Sequence, residues 1–206
     1  MKKFEALHSA AVPIQQSNVD TDQILPARYL QKPRSDNFGD YLFRDVRARR
    51  YGSNEMPFVL DQEAYRDGRI LVAQRNFGCG SSREHAVWAL YDHGIRAVIS
   101  PSFGDIFFSN ALKNGLLPIV LPAATVAALQ DAIVARPGSQ MKVDLVAQIV
   151  VAPDGTTHEF AIDPFAKHCM LNGLDEVDYT LSQMQTIVAF ERGHDEEMPA
   201  PTGDQR

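Results

Sequence analysis

Short apolar runs alternate with amphipathic stretches through the centre of the chain. The apolar runs at 69–74, 97–99 and 116–121 predict strands, and the stretches at 82–93 and 102–114 predict helices between them. Alternation of this kind indicates βαβ units on a mostly parallel sheet. Ligands bind such sheets at the carboxyl ends of the strands, so the segment after 69–74 is a candidate site.

The flanking segments predict further elements around this unit. Extended segments or strands are expected at 4–17, 143–151 and 157–162, and helices at 123–136, 164–171 and 175–192. Pro153-Asp154-Gly155 predicts the turn of a hairpin. Residues 194–206, which contain prolines and acidic groups, are expected to be a disordered tail, leaving a single domain over 1–193.

Composition and charge exclude some classes of function. With 206 residues, 45% apolar and 22% charged, the chain is long enough for one well-packed globular domain. The net charge of −6 argues against a general nucleic-acid binder. No window of about 18 apolar residues occurs, and the N-terminus lacks the apolar core of a signal peptide. We therefore expect no membrane association and a cytoplasmic location.

The two cysteines, Cys79 and Cys169, lie far apart and form no CxxC motif. We expect neither a disulfide framework nor a metal site built by this chain alone. His168 beside Cys169 is expected to pack, because no further ligands are nearby. An iron–sulfur cubane normally needs more cysteine thiolates than this chain offers, so a cluster would have to be held by another chain.

The segment Asn76–His85, with the sequence NFGCGSSREH, combines a flexible turn with polar chemistry. Its two glycines allow a tight turn and a close approach of a ligand. Ser81 and Ser82 fall at the predicted helix start, where unpaired amides and partial positive charge favour an anion or a developing alkoxide. Arg83 can grip a carboxylate with two hydrogen bonds. Acid–base chemistry on a carboxylate substrate would use all of these groups.

Other functions are compatible with the same segment. Ser81-Ser82-Arg83-Glu84 fits the capping box, in which a serine only satisfies helix amides. The two glycines resemble part of a dinucleotide fingerprint, with Arg83 in place of the third glycine, which leaves open a nucleotide- or phosphate-binding module. Cys79 near His85 could be a thiol nucleophile. Earlier in the chain, Asp20-Thr21-Asp22 has the spacing of an Asp-x-Asp metal site, although a helix cap or turn explains such clusters more often.

Four segments together resemble a known family. Residues 76–86 look like the signature of the swivel domain of the aconitase superfamily, and further matches are 18–30, 101–107 and Asn110 with 114–118. Over residues 1–192 the chain resembles the small subunits of bacterial 3-isopropylmalate dehydratases, and the segment 35–68 favours them over shorter relatives. The resemblance implies a swivel-type β/β/α fold with a mostly parallel sheet, a C-terminal hairpin and helices.

The resemblance also implies roles for individual residues. It makes Ser81 the base, acting as an alkoxide, and Asp22 a member of the active-site hydrogen-bond network. Ser82 and Arg83 would hold the substrate carboxylate. The loop from Arg28 to Arg34 would recognise the substituent that distinguishes substrates, with Leu30 facing an isopropyl group and Arg34 meeting a carboxylate. Cys79 takes the position of a glutamate in many aconitases and is a family marker.

The implied reaction converts 2-isopropylmalate to 3-isopropylmalate by dehydration and rehydration in leucine biosynthesis. It implies a heterodimer with a large subunit that holds a [4Fe–4S] cluster. Alternatives are the small subunit of a sibling hydro-lyase, such as homoaconitase or a methylmalate/citraconate dehydratase, a phosphate-binding module, and a scaffold in which the serines only cap.

Overall fold

A computed structural model describes residues 1–4, 6–35, 37–50 and 56–197. Its strands are β1 (Leu7–Ile14), β2 (Ile70–Ala73), β3 (Ala97–Ser100), β4 (Leu117–Val120), β5 (Gln140–Asp144), β6 (Ile149–Val151) and β7 (Thr157–Glu159). They form one sheet in the order β4-β3-β2-β1-β5-β6-β7.

One half of the sheet is parallel, as the alternation predicted. β1 pairs with β2, β2 with β3 and β3 with β4, with Leu71 opposite both Val12 and Val98. Every residue of β2 and β3 is buried. Their uninterrupted apolar runs therefore reflect strands that are covered on both faces. The other half, β1-β5-β6-β7, is antiparallel.

Helices cover the sheet and connect its parallel strands. They are α1 (Thr21–Ile24), α2 (Arg44–Arg50), α3 (Glu84–His93), α4 (Asp105–Lys113), α5 (Ala123–Ala135), α6 (Pro164–Asn172), α7 (Glu176–Ser182) and α8 (Met184–Glu197). α5 packs across β1, β2 and β3, and α3 contacts α1, α4 and the 3-10 segment Phe38–Tyr41. No helix among the described residues is long and apolar enough to cross a bilayer.

The aromatic segment 35–68 is part of the main core. Its buried aromatic residues belong to the same cluster as the central strands: Phe38, Phe43, Phe58 and Tyr65. An ion pair between Arg47 and Asp61 links α2 to the later part of this segment. Residues 51–55 within it lie outside the described residues.

Several predicted boundaries differ from the structure. The strand expected over 143–151 is the hairpin of β5 and β6, turned at residues 145–148, where Gln148 has a positive φ of 55°. The helix expected from Ser102 begins at Asp105, because residues 102–104 pair with another loop. The helix expected over 175–192 is divided into α7 and α8 at Gln183. The predicted tail begins within α8, and its residues 198–206 lie outside the described residues.

Candidate active site

Three loops meet at the carboxyl ends of the parallel strands. The segment 15–20 follows β1, the segment 74–83 follows β2, and the segment 101–104 follows β3. We call the segment 76–83 the glycine turn. Since β1, β2 and β3 are neighbours in the sheet, these loops lie side by side, in the place where open α/β sheets bind ligands.

Backbone hydrogen bonds hold the glycine turn between the other two loops. On one side, Gly78 N donates to Val19 O at 2.7 Å and Thr21 N donates to Cys79 O at 2.9 Å. On the other side, Phe77 N donates to Ser102 O at 3.1 Å and Gly104 N donates to Phe77 O at 3.0 Å. The turn is thus paired on both sides like a short strand, and its position is fixed by the whole sheet edge.

Gly78 is required by both conformation and space. Its φ of 73° lies in the left-handed region, which favours glycine. A Cβ atom there would lie 2.2 Å from Cγ of Phe107, whose ring sits under the turn. Gly78, one of the two glycines that predicted a tight turn, therefore also allows the turn to lie directly on α4.

Neither serine of the turn caps the helix. The N-cap of α3 is Arg83, which makes no side-chain cap hydrogen bond, and both Ser81 and Ser82 are exposed. Glu84, the other partner of a capping box, instead accepts a hydrogen bond from Nδ2 of Asn114 at 2.8 Å. The capping-box interpretation is wrong. The two hydroxyls make no hydrogen bond to a residue that the structure describes, and both stand at the positive end of α3.

Arg83 and Asp22 form an ion pair between the glycine turn and α1. Nη1 of Arg83 donates to Oδ1 of Asp22, and the arginine side chain is 20% exposed while that of the aspartate is 52% exposed. The guanidinium is held at the mouth of the loops with further N–H groups left for a ligand. The structure therefore brings Asp22, Ser81, Ser82 and Arg83 together.

Thr21 is a residue of this site that sequence reasoning missed. Its side chain is buried, and Oγ1 donates to the carbonyl oxygen of Ser81 at 2.9 Å. Its neighbour Asp20 caps α1 by accepting from Gln23 N at 2.7 Å, so the helix-cap explanation of the Asp20-Thr21-Asp22 cluster is confirmed. The sequence signal for Thr21 was its position between Asp20 and Asp22, two candidate functional residues.

Of the two loop residues predicted to contact the substrate, Arg34 is bound near the far end of α3. Leu30 is half-buried and packs against the core. Arg34 donates to both carboxylate oxygens of Asp92, at 2.8 and 2.7 Å, and lies over the ring of Trp88. Asp92 is near the end of α3, about 13 Å along the helix axis from Arg83. The structure does not bring Arg34 to the serines.

Cys79 is poorly suited to act as a nucleophile. Its side chain is half-buried, and burial raises the pKa of its thiol, as does the negative charge of Asp20. The ring of His85 lies against Trp88, with ring centroids 4.4 Å apart. Because a thiolate is the reactive form, this environment weakens the thiol-nucleophile alternative.

Comparison with known proteins identifies the family. The family model described as the aconitase C-terminal domain matches residues 1–124, and the model described as LeuD_N matches residues 127–164. The 3-isopropylmalate dehydratase small subunit of Paramagnetospirillum magneticum is 47% identical over 97% of this chain and 99% of its own length. The protein of the same name from Parvibaculum lavamentivorans is 49% identical over 97% of this chain and 99% of its own length. This chain belongs to the family of 3-isopropylmalate dehydratase small subunits.

A solved structure supports the same family fold. The crystal structure of 3-isopropylmalate dehydratase (leuD) from Methanocaldococcus jannaschii superposes with a TM-score of 0.66 at 28% identity, and it covers 90% of this chain and 99% of that chain. The expected swivel-type α/β fold of a dehydratase small subunit is confirmed. The glycine turn, α1 and the parallel strands all lie inside the region matched by the aconitase C-terminal domain.

Proposed function

We propose that this chain is the small subunit of a hydro-lyase that isomerises 2-isopropylmalate to 3-isopropylmalate in leucine biosynthesis. The observation that carries the proposal is the pairing of two exposed serine hydroxyls, unused as helix caps, with an arginine oriented by Asp22. Dehydratase small subunits that are nearly half identical over the full length support the choice of reaction. We place the assembled enzyme in the cytoplasm.

The reaction also needs a group that helps the substrate hydroxyl to leave. Among the described residues, no three His, Cys, Asp or Glu side chains converge on a metal position. Cys79 and Cys169 are separated, one half-buried and one buried, so this chain does not fit as the holder of an iron–sulfur cluster. We propose that a large partner subunit holds a [4Fe–4S] cluster, which would supply the Lewis acid for the departing hydroxyl.

Ser81 is the proposed base. The proton on the carbon next to a substrate carboxylate moves to Oγ of Ser81, and the electron pair of that C–H bond enters the new C=C bond as hydroxide leaves the neighbouring carbon. Rehydration with the positions of proton and hydroxide exchanged gives the isomer. A serine alkoxide needs stabilisation, which the positive end of α3 and the nearby Arg83 supply.

Arg83 and Ser82 are the proposed carboxylate holders. The guanidinium of Arg83 is largely buried and is already oriented by Asp22, so little side-chain freedom is lost on binding a substrate. Negative charge builds on the carboxylate as the proton is removed, and a fixed cation stabilises it most at that point. The exposed Ser82 hydroxyl adds a hydrogen-bond donor beside it.

The identity of the substrate is the most specific part of this proposal, because a sibling hydro-lyase would use the same four residues: Asp22, Ser81, Ser82 and Arg83. The loop from Arg28 to Arg34 is the segment in which such enzymes would differ, and Leu30 remains our predicted contact for an isopropyl group. A phosphate-binding module predicts instead that the isolated chain binds a phosphorylated ligand at the glycine turn. In the scaffold alternative the serines would only cap α3, but the N-cap of α3 is Arg83.

The decisive experiment is reconstitution with the large subunit. The tagged chain is isolated anaerobically from its host with its larger partner, iron and sulfide are quantified, and isomerisation of 2-isopropylmalate is assayed. Ser81→Ala should lower kcat about a thousandfold, since a positioned general base contributes on that order. Ser109→Ala, at an exposed position of α4 outside the glycine turn, is the matched control.

The outcomes separate the candidates. Partner, cluster and turnover together, with loss of turnover only in Ser81→Ala, support the proposal. Partner and cluster with turnover of a different hydroxy-diacid would assign a sibling hydro-lyase. Full activity in Ser81→Ala would exclude Ser81 as the base. A chain that is isolated with neither partner nor iron would favour the alternative in which the glycine turn binds phosphate.

A further inference from the structure

A cationic pocket lies at the end of the sheet opposite the glycine turn. It has a volume of about 220 Å³, and its lining includes Lys2, Lys3, Arg69 and Arg96. Among the described residues that line it, none is acidic. Four cationic side chains around one small concavity, in a chain of net charge −6, are a local reversal of the overall charge.

The sheet itself brings the two arginines together. Arg69 directly precedes β2 and Arg96 directly precedes β3, and Arg96 N donates to Arg69 O at 2.9 Å. Both therefore stand at the amino-terminal ends of adjacent parallel strands. The glycine turn follows the other end of β2, roughly 13 Å away along a strand of this length.

Arg96 is held in place before any ligand binds. Its Nη1 donates to Tyr91 O at 2.7 Å and to Ile95 O at 3.1 Å, and its guanidinium carbon lies 3.7 Å from the centre of the Tyr91 ring. The side chain is half-buried. A guanidinium fixed in this way can bind an anion with little further loss of side-chain freedom.

The two arginines of the pocket have no carboxylate partner in the part of the chain that the structure describes. Burial lowers the pKa of Arg96, and the neighbouring charge of Arg69 lowers it further, while Tyr91 and Asp92 act in the opposite direction. Asp92 is itself bound by Arg34 through two hydrogen bonds. A bound anion would relieve this repulsion.

We propose that this pocket, between Arg69 and Arg96 and flanked by Lys2 and Lys3, binds a compact anion that carries at least two negative charges on oxygen. Arginine forks match the oxygen spacing of phosphoryl and carboxylate groups, and the two exposed lysines add further positive charge. The volume of the pocket fits one such small group.

The test is calorimetric titration of the full chain with inorganic phosphate, pyrophosphate and succinate, at constant ionic strength set with sodium chloride. We expect a single site for at least one probe. Arg69→Gln, which alters an exposed side chain, should raise its Kd about tenfold or more. Arg136→Gln removes the same charge from an exposed position after α5 and should leave Kd unchanged.

Melting curves provide a second readout for variants that bind too weakly for calorimetry. The binding probe should raise the Tm of the wild type and of Arg136→Gln, and raise that of Arg96→Gln much less. A preference for phosphate and pyrophosphate would assign phosphorylated ligands, and a preference for succinate would assign dicarboxylates. No binding of any probe to the wild type, or equal weakening in Arg136→Gln, would overturn the proposal.

Discussion

Arg83 donates a hydrogen bond to the carboxylate of Asp22, a residue 61 positions earlier in the chain. This ion pair joins α1 to the first residue before α3 and sets the direction of the guanidinium beside the two exposed serines. The arginine is the more buried of the two partners, so the aspartate orients it from the rim.

We predict that Asp22→Asn lowers kcat/KM of the reconstituted enzyme about tenfold, because Arg83 loses the charge that orients it toward the substrate carboxylate. Stability should change by less than about 1 kcal/mol, since Asp22 is half exposed. Steady-state kinetics and thermal melting measure the two effects. Glu176→Gln, which breaks the exposed pair with Lys113, is the control. Unchanged kinetics in Asp22→Asn would show that Arg83 needs no partner.

Thr21 should act as a positioning residue for Ser81. Thr21→Val removes the hydroxyl that donates to Ser81 O and leaves that carbonyl without its partner, at a cost of about 1 kcal/mol. A shift of the turn by a fraction of an ångström should lower kcat about tenfold. Thr21→Ser keeps the donor and should retain most of the activity. If Thr21→Val has a lower Tm but turns over substrate at the wild-type rate, Thr21 has only a structural role.

Gly78→Ala should destabilise the chain by about 3 kcal/mol. The added Cβ meets the Phe107 ring at 2.2 Å and also has to adopt a positive φ. Gly155→Ala is the matched control, because Gly155 has a similar φ of 88° but nothing within 4 Å of its Cβ position. It should cost about 1 kcal/mol. Urea denaturation measures both, and equal losses would mean that Phe107 moves aside freely.

The stability of the chain should depend on pH through His93. Its Nδ1 lies 3.3 Å from the carbonyl oxygen of Gly39, and burial lowers the pKa of His93, with Arg47 lowering it further. The unfolded histidine takes up a proton near pH 6.5, whereas the folded one does so only at lower pH. The free energy of unfolding should therefore fall as pH decreases below about 6.5.

Urea denaturation of the wild type and of His93→Gln between pH 7 and 5 tests this dependence. The glutamine variant should lose less stability on acidification than the wild type, because it has no proton to take up on unfolding. An identical pH dependence in both proteins would assign the acid sensitivity to other groups.

The sequence predicted the parallel core well, because β2 and β3 are buried on both faces and their apolar runs are continuous. It failed at β5 and β6, where the alternation of Val143, Leu145 and Ile149 continues across a turn and so resembles one strand. It also failed at the start of α3. The Ser-x-x-Glu pattern is local, but Glu84 is drawn to Asn114, 30 residues later.

The sequence alone determined the alternation of strands and helices, the glycine turn after β2, and the residue types that carry the proposed chemistry. Those features depend on neighbours in the chain. The tertiary structure decided that Arg83 meets Asp22, that Thr21 holds Ser81, and that Arg34 turns to Asp92 on α3. Each of these contacts joins residues about sixty positions apart, and each exists only because the sheet places β1 and β2 side by side and α3 packs beside the loops that follow them.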